Sequence, residues 1–270
     1  MTFSISGKTA IVTGAANGVG LAIARHFADN GANVMFADMD EARLKAEVGD
    51  EAAKDDSATR YFAGDLREKL TIANLLSVTI DAFDAVDILV NASRQVAISD
   101  PLNVDDGSIA ELLDQNLMTS LRLTQLIARR MIRQAEQSGR EEGLVGSIVN
   151  LSSIAARRAH PELLAYSVSS AALEQMTRSM AVALAPHRIR VNAIAFGSVM
   201  SASLMQALKG DENARHEIVG NTPLARIGSA DEVASAALFL SSDGAGFMTG
   251  QILTIDGGRT LVDAVGVPIH

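Results

Sequence analysis

The sequence predicts a doubly wound α/β fold in a single domain, residues 1–270: a seven-stranded parallel sheet with helices on both faces. Three observations predict it. Short apolar runs rich in β-branched residues alternate with helical periodicity along the whole chain. The runs are apolar throughout, as in strands buried on both faces. The intervals between them have the length of the right-handed crossovers that parallel strands need. No repeat or linker divides the 270 residues, and 48% of them are apolar, ample for one large core.

The elements follow in order. KTAIVTG (8–14) is a buried strand ending in glycine. GVGLAIARHFADNGA (18–32) sets Val19, Ile23 and Phe27 four apart on one helical face, with Asn30-Gly31 as the stop. NVMFADMD (33–40) is the second strand, and a polar, alanine-rich helix follows near 40–54. TRYFAGDL (59–66) and DAVDILVNAS (84–93) hold the third and fourth strands, each followed by helical periodicity. The long helix near 108–137 carries a stripe of Leu112, Leu113, Leu117, Leu121 and Ile127. QAEQSGREEG (134–143) is expected as a loop and LVGSIVNLSS (144–153) as the fifth strand. A helix over 165–185 ends at Pro186, with His187 and Arg188 near its negative end. IRVNAIA (189–195) and QILTIDGG (251–258) are the last two strands. Between them, 208–221 is polar and glycine-punctuated, and SADEVASAALFL (229–240) opens with Ser229 and Glu232 in a capping-box pattern.

Composition excludes several functions. With no cysteine there is no disulfide, no thiolate metal site and no cysteine nucleophile. The five histidines are scattered without ligand spacing, so no metal site is expected. A net charge of −9 argues against nucleic acid as a partner. No segment is apolar enough to span a bilayer, and MTFSISGKTAIV lacks the layout of a secretory signal, so the expected location is cytoplasmic.

TGAANGVG (13–20) joins the first strand to the first helix. Glycines at 14, 18 and 20 permit a tight turn and close approach of a pyrophosphate, and the helix N-terminus offers free N–H groups and a positive dipole end. The strand–loop–helix context turns a weak glycine pattern into a dinucleotide-binding signal of the Rossmann type. Asp38 lies 18 residues past Gly20, at the end of the second strand. A carboxylate there accepts from both adenosine ribose hydroxyls and repels a 2′-phosphate, which favours NAD over NADP.

With these residues in place the chain resembles the short-chain dehydrogenase/reductase family in its compact form, nearly end to end. The resemblance rests on Thr13–Gly20 in the family's TGxxxGxG form, the acid at 38, GDL with Asp65, DILVN (87–91), QNLMTSLRL (115–123), NLSS…AYSVS (150–169), RIRVNAIAFG (188–197) and the tail from Pro223 to Gly258. It implies a nicotinamide cofactor and hydride transfer between a carbonyl and an alcohol of a small molecule. It implies cofactor contacts at Gly14, Asn17, Gly18, Val19, Gly20, Asp38, Met39, Asp65, Leu66, Asn91, Gly197 and Val199. It implies Tyr166 as catalytic acid/base, Ser153 as the substrate-orienting hydroxyl and Asn116 as the residue that holds a proton-relay water. It also implies a substrate lid over about 198–222. A homodimer or homotetramer would form through the 108–137 stripe and the small-residue helix after Tyr166, with the tail LVDAVGVPIH as a further contact.

The chain departs from the family at one end of this site. Ser170 stands where the family has a lysine, one helical turn after Tyr166. Two unit charges ~4 Å apart at an effective dielectric near 20 interact by about 4 kcal/mol, so the missing cation withholds up to roughly three pH units of help in forming tyrosinate. Oxidation, which needs that base, suffers more than reduction. Asn91-Ala92-Ser93-Arg94 replaces the family's NNAG, and Phe196 stands where a proline usually precedes the glycine at 197. Arg94 is the candidate substitute for the lysine, because it follows the cofactor-facing end of a strand; its loss should abolish turnover and spare cofactor binding. Arg157, Arg158 and His160 suggest a polar or anionic group at the mouth. The two competing readings are an NAD-linked oxidoreductase, slow or biased to reduction, and an NAD-binding sensor or partner subunit without turnover.

Overall fold

The structure is a computed structural model and describes residues 3–54, 56–200, 204–205, 208–210 and 212–263. Seven strands form one parallel sheet in the order β3-β2-β1-β4-β5-β6-β7. They are β1 Thr9–Thr13, β2 Asn33–Asp38, β3 Thr59–Ala63, β4 Ile88–Asn91, β5 Gly146–Ser153, β6 Ile189–Phe196 and β7 Ile252–Ile255. The helices are α1 Gly18–Asp29, α2 Glu41–Ala52, α3 Lys69–Phe83, α4 Ser108–Leu112, α5 Thr119–Gln137, α6 Leu164–Leu184, α7 Glu212–Gly220 and α8 Ala230–Ser241.

The sheet is buried on both sides, which explains the unbroken apolar runs. Alternate residues of each strand feed separate cores. Val12, Val34, Phe36, Val90 and Val149 pack with Ile23 and Phe27 of α1, Leu44 of α2 and Val233 of α8. Ile11, Met35, Leu89, Ile148 and Val191 pack on the other face with Leu75 of α3, Ile127 of α5 and Ala181 of α6. The order reverses between β1 and β4, and their C-terminal ends form the crevice where doubly wound sheets bind ligands.

Three expectations shift. The polar run 134–143 is helical up to Gln137. Gln134 explains this: its amide accepts from Val86 N–H at 3.0 Å, donates to Val86 C=O at 3.0 Å, and receives Arg130, so a polar residue is fixed by the segment that leads into β4. The stripe at 108–137 is not one straight face. A π-helical stretch, Leu113–Met118, sits between α4 and α5. Its wider turn rotates the following residues. Leu112 and Ile127 are buried, whereas Leu113, Leu117 and Leu121 are half-buried. The inward face runs through Asn116, Ser120, Leu123 and Thr124 instead. The polar 208–221 stretch holds α7, while residues 201–203, 206–207 and 211 of the expected lid, and most of the tail after Asp263, lie outside the described residues. The capping box at α8 is present: Glu232 N–H donates to Ser229 Oγ at 3.3 Å and Ser229 N–H to Glu232 Oε2 at 2.8 Å.

Candidate active site

The glycine loop owes its shape to contacts that allow no side chain. Gly14 has φ +66°, and a Cβ there would stand 2.8 Å from the Ala92 carbonyl oxygen and 2.9 Å from Ser93 Cα. A Cβ on Gly20 would fall 2.1 Å from the Gly14 carbonyl oxygen. Such approaches exclude any residue but glycine. Thr13 ties the same loop to β4: its hydroxyl accepts from Ala92 N–H at 3.0 Å and Ser93 N–H at 3.1 Å. At the start of α1, Asn17 makes no side-chain cap, so the first-turn amides are left to bond something else.

That helix end opens on a cavity of about 720 Å³. Gly14, Asn17, Gly18, Val19, Gly20, Asp38, Met39, Asp65 and Leu66 line it, as the motif reading expects. Asp38 is fixed at its rim, accepting from Ala16 N–H and Asp40 N–H at 3.1 Å each. Asp65 is engaged by Arg67, whose guanidinium bonds both carboxylate oxygens, the shortest at 2.6 Å. That hydrogen-bonded cation holds the Asp65 carboxyl below the usual carboxylate range. Arg67 also lines the cavity, and no sequence motif singled it out.

Three of the expected cofactor contacts do not line this cavity. Asn91 points into the protein, where its amide nitrogen donates to Asn150 Oδ1 at 2.8 Å and to Thr124 Oγ1 at 3.2 Å. Its successors Ala92, Ser93, Arg94, Gln95 and Val96 form the wall instead. Gly197 follows β6 beside Ile154, and Val199 lines a separate small cavity with Arg226 and Glu232.

Tyr166, Ser153 and Asn116 stand on α6, at the end of β5 and in the π-helical stretch. Ser153 closes β5, and its Oγ accepts from Ala155 N–H at 3.2 Å. Tyr166, on the first turns of α6, packs in a small cluster with Ala155, Leu112 and Ala165. Asn116 lies in the π-helical stretch; its amide accepts from Gln95 N–H at 2.8 Å and donates to Gln95 C=O at 2.9 Å and to Ser169 Oγ at 3.2 Å. It therefore fixes the loop that carries Arg94. Ser170 is buried, and its carbonyl accepts from Ser152 Oγ at 3.4 Å.

The side chain beside the phenol is Arg94. Its Nη1 donates to Tyr166 Oη at 2.5 Å and to Ser152 C=O at 3.3 Å. Its guanidinium carbon lies 4.1 Å from the centre of the Phe196 ring. Arg94 lines the large cavity as well, so it joins the glycine-loop end of the crevice to the tyrosine end. The other cations expected at the mouth are engaged within the chain. Arg157 bonds Thr254 Oγ1 at 2.9 Å and the buried Glu174 at 3.3 Å. Arg158 donates to the Thr260 carbonyl, and His160 Nδ1 accepts from Glu162 N–H at 3.3 Å.

Comparison with known proteins shows the family. The family model described as enoyl-(acyl carrier protein) reductase matches residues 14–260. The chain belongs to the short-chain dehydrogenase/reductase family. Members of that family are oxidoreductases that use NAD(P). An uncharacterized oxidoreductase of Thermotoga maritima is 34% identical over 96% of this chain and 100% of its own. An NAD-dependent glycerol dehydrogenase of Listeria innocua is 33% identical over 96% of each chain. Among solved structures, a short-chain type dehydrogenase/reductase from Mycobacterium ulcerans superposes with a TM-score of 0.85 at 28% identity, covering 96% of this chain and 91% of that one. Among the described residues no helix is long and apolar enough to cross a membrane, and no three metal-ligating side chains cluster.

Proposed function

We propose that this short-chain oxidoreductase uses NAD to interconvert an alcohol and a carbonyl on a small molecule, with Tyr166 as acid and base. One observation carries the reading. A single cavity has the uncapped α1 N-terminus and Asp38 at one end and Arg94, bonded to Tyr166, among its walls.

The dinucleotide, when bound, supplies the hydride acceptor or donor. The α1 amides and the glycine loop suit its diphosphate, because nothing but hydrogen projects from Gly14 and Gly20. Asp38 suits the adenosine ribose hydroxyls and disfavours a 2′-phosphate. In reduction the Tyr166 phenol gives its proton to the oxygen that becomes the alcohol; in oxidation Oη takes that proton back. Ser153 supplies a second hydroxyl to orient the same oxygen. Asn116 acts by holding the Gln95 backbone, and with it the wall beside the phenol.

The expected fine points are proposals of the same reading: location in the cytoplasm, a lid over about 198–222, and a homodimer or homotetramer that covers Leu113, Leu117 and Leu121. A dinucleotide sensor without turnover has no observation of its own in its favour. The test is calorimetry with NADH and NADPH, followed by turnover on a panel of alcohols and carbonyls that includes glycerol. Binding of NADH in preference to NADPH, with turnover on at least one compound, is expected. No heat with either dinucleotide would overturn the reading.

A further inference from the structure

Resting on the oxidoreductase reading, we propose that Arg94 is a positioning residue that sets the ionisation of Tyr166, held in place by the ring of Phe196 and the carbonyl of Ser152. The residue one helical turn after Tyr166 is Ser170, which carries no charge. The cation beside the phenol comes instead from the loop after β4.

Four features make this more than a chance contact. The 2.5 Å bond sets one nitrogen of a delocalised cation against the phenolic oxygen. A guanidinium has donors only, so Oη must be the acceptor, and a phenolate is the stronger acceptor. The guanidinium is stacked on Phe196 at 4.1 Å, a cation–π contact that fixes its plane. No carboxylate bonds Arg94 among the described residues, so its charge is not cancelled. The charged groups on the surrounding elements are engaged elsewhere. Glu174 of α6 pairs with Arg157 and Arg178, Arg158 bonds the Thr260 carbonyl, His160 accepts from Glu162 N–H, and Glu111 of α4 accepts from Gln95.

The proton balance follows. In oxidation the substrate O–H proton passes to the Tyr166 phenolate, and the C–H hydrogen leaves with its electron pair to the oxidised nicotinamide dinucleotide. A carbonyl and a neutral phenol result. Reduction runs the same transfers backwards. Arg94 keeps its protons throughout, since a guanidinium stays protonated across the range in which enzymes work. Its contribution is a fixed, charged donor to Oη, which bonds a phenolate more strongly than a phenol.

The composition offers a direct readout. The chain has two tyrosines and no tryptophan, so a Tyr61→Phe background leaves Tyr166 as the one phenol seen in near-ultraviolet absorbance. In that background, without dinucleotide, Arg94→Met is expected to raise the pH midpoint of tyrosinate formation by about one unit or more. Arg94→Lys should raise it less, and Phe196→Leu, which frees the guanidinium, should fall between. In turnover, Arg94→Met should lower kcat for oxidation about tenfold at neutral pH, with oxidation recovering in alkali. An unchanged midpoint in folded Arg94→Met overturns the proposal. If that variant fails to fold, the midpoints of Arg94→Lys and Phe196→Leu decide, and two unchanged values overturn it equally. Dinucleotide binding with an unchanged midpoint removes the role of Arg94 alone. Absent dinucleotide binding with a raised midpoint removes the assigned function and leaves the Arg94–Tyr166 coupling standing.

Discussion

The two ends of the crevice were built under different constraints. At the β1–α1 end, the proposed recognition is by backbone: glycines that leave no room for a Cβ, free amides, and one carboxylate at a strand end. At the β4–β5–α6 end it is done by side chains that meet across the fold: Arg94 from one loop, Phe196 from β6, Tyr166 from α6. The first end carries the glycine motif that the sequence reading matched to the family, Thr13–Gly20. At the second the sequence reading expects departures at Arg94, Ser170 and Phe196, and the structure stacks Arg94 on Phe196. Backbone recognition tolerates little change, because the alternative to glycine is a collision. A cation acts through space, so its source can move to another element while its charge stays near the same oxygen.

The contrast can be broken most directly at Tyr166. Replacing it with phenylalanine removes the proton donor and is expected to lower turnover by roughly 10²–10⁴-fold. Dinucleotide affinity, measured by calorimetry, should stay within about twofold, since the two ends do separate work. A large loss of affinity in Tyr166→Phe would mean that the ends are one site.

Gly20→Val attacks the other end. Its side chain would collide with the Gly14 carbonyl, so dinucleotide affinity should fall by more than about tenfold, together with a lower melting temperature. A variant that binds normally would show that the loop has room that the 2.1 Å approach denies.

Asp38→Ala sharpens the comparison, because it tests the one side chain on which the backbone end relies. NADH binding should weaken by about tenfold, with NADPH gaining relative to NADH. The readout is the ratio of the two dissociation constants; a ratio equal to that of the unaltered protein would detach Asp38 from cofactor choice.

The smallest effect is expected far from both ends, at the α8 cap. Arg226 and the Ser229 N–H hold the Glu232 carboxyl at about 2, below its ordinary value. A carboxylate depressed in the folded state stabilises above its unfolded value, near ~4.3, and that help disappears as pH falls through the folded value. The side chain is 43% exposed, so solvent screening keeps the contribution small. Glu232→Gln should therefore cost up to about 1 kcal/mol in urea unfolding at neutral pH, and close to nothing near pH ~2. An equal cost at both values would assign the effect to packing instead of charge.

By itself the sequence determined the doubly wound sheet, its seven strands and the glycine-loop end of the crevice. Each depends on local rules: apolar runs for strands buried on both faces, a Ser-x-x-Glu cap, and a turn that only glycine can make between a strand and a helix. The tertiary structure decided what local pattern cannot carry. The π-helical stretch turned Leu113, Leu117 and Leu121 off the core and brought Asn116 onto the Gln95 backbone. Asn91 went to the interior, where its amide nitrogen bonds Asn150 and Thr124. Gln134 fixed the last turn of α5, inside the run expected as loop, by bonding Val86. Above all, 72 residues of chain separate Arg94 from Tyr166, and only the packing of β4, β5, β6 and α6 shows that a guanidinium stands beside the phenol. Hydrogen bonds and Coulomb forces depend on distance in space, and spacing along the chain fixes that distance only within one turn of a helix or one step of a strand.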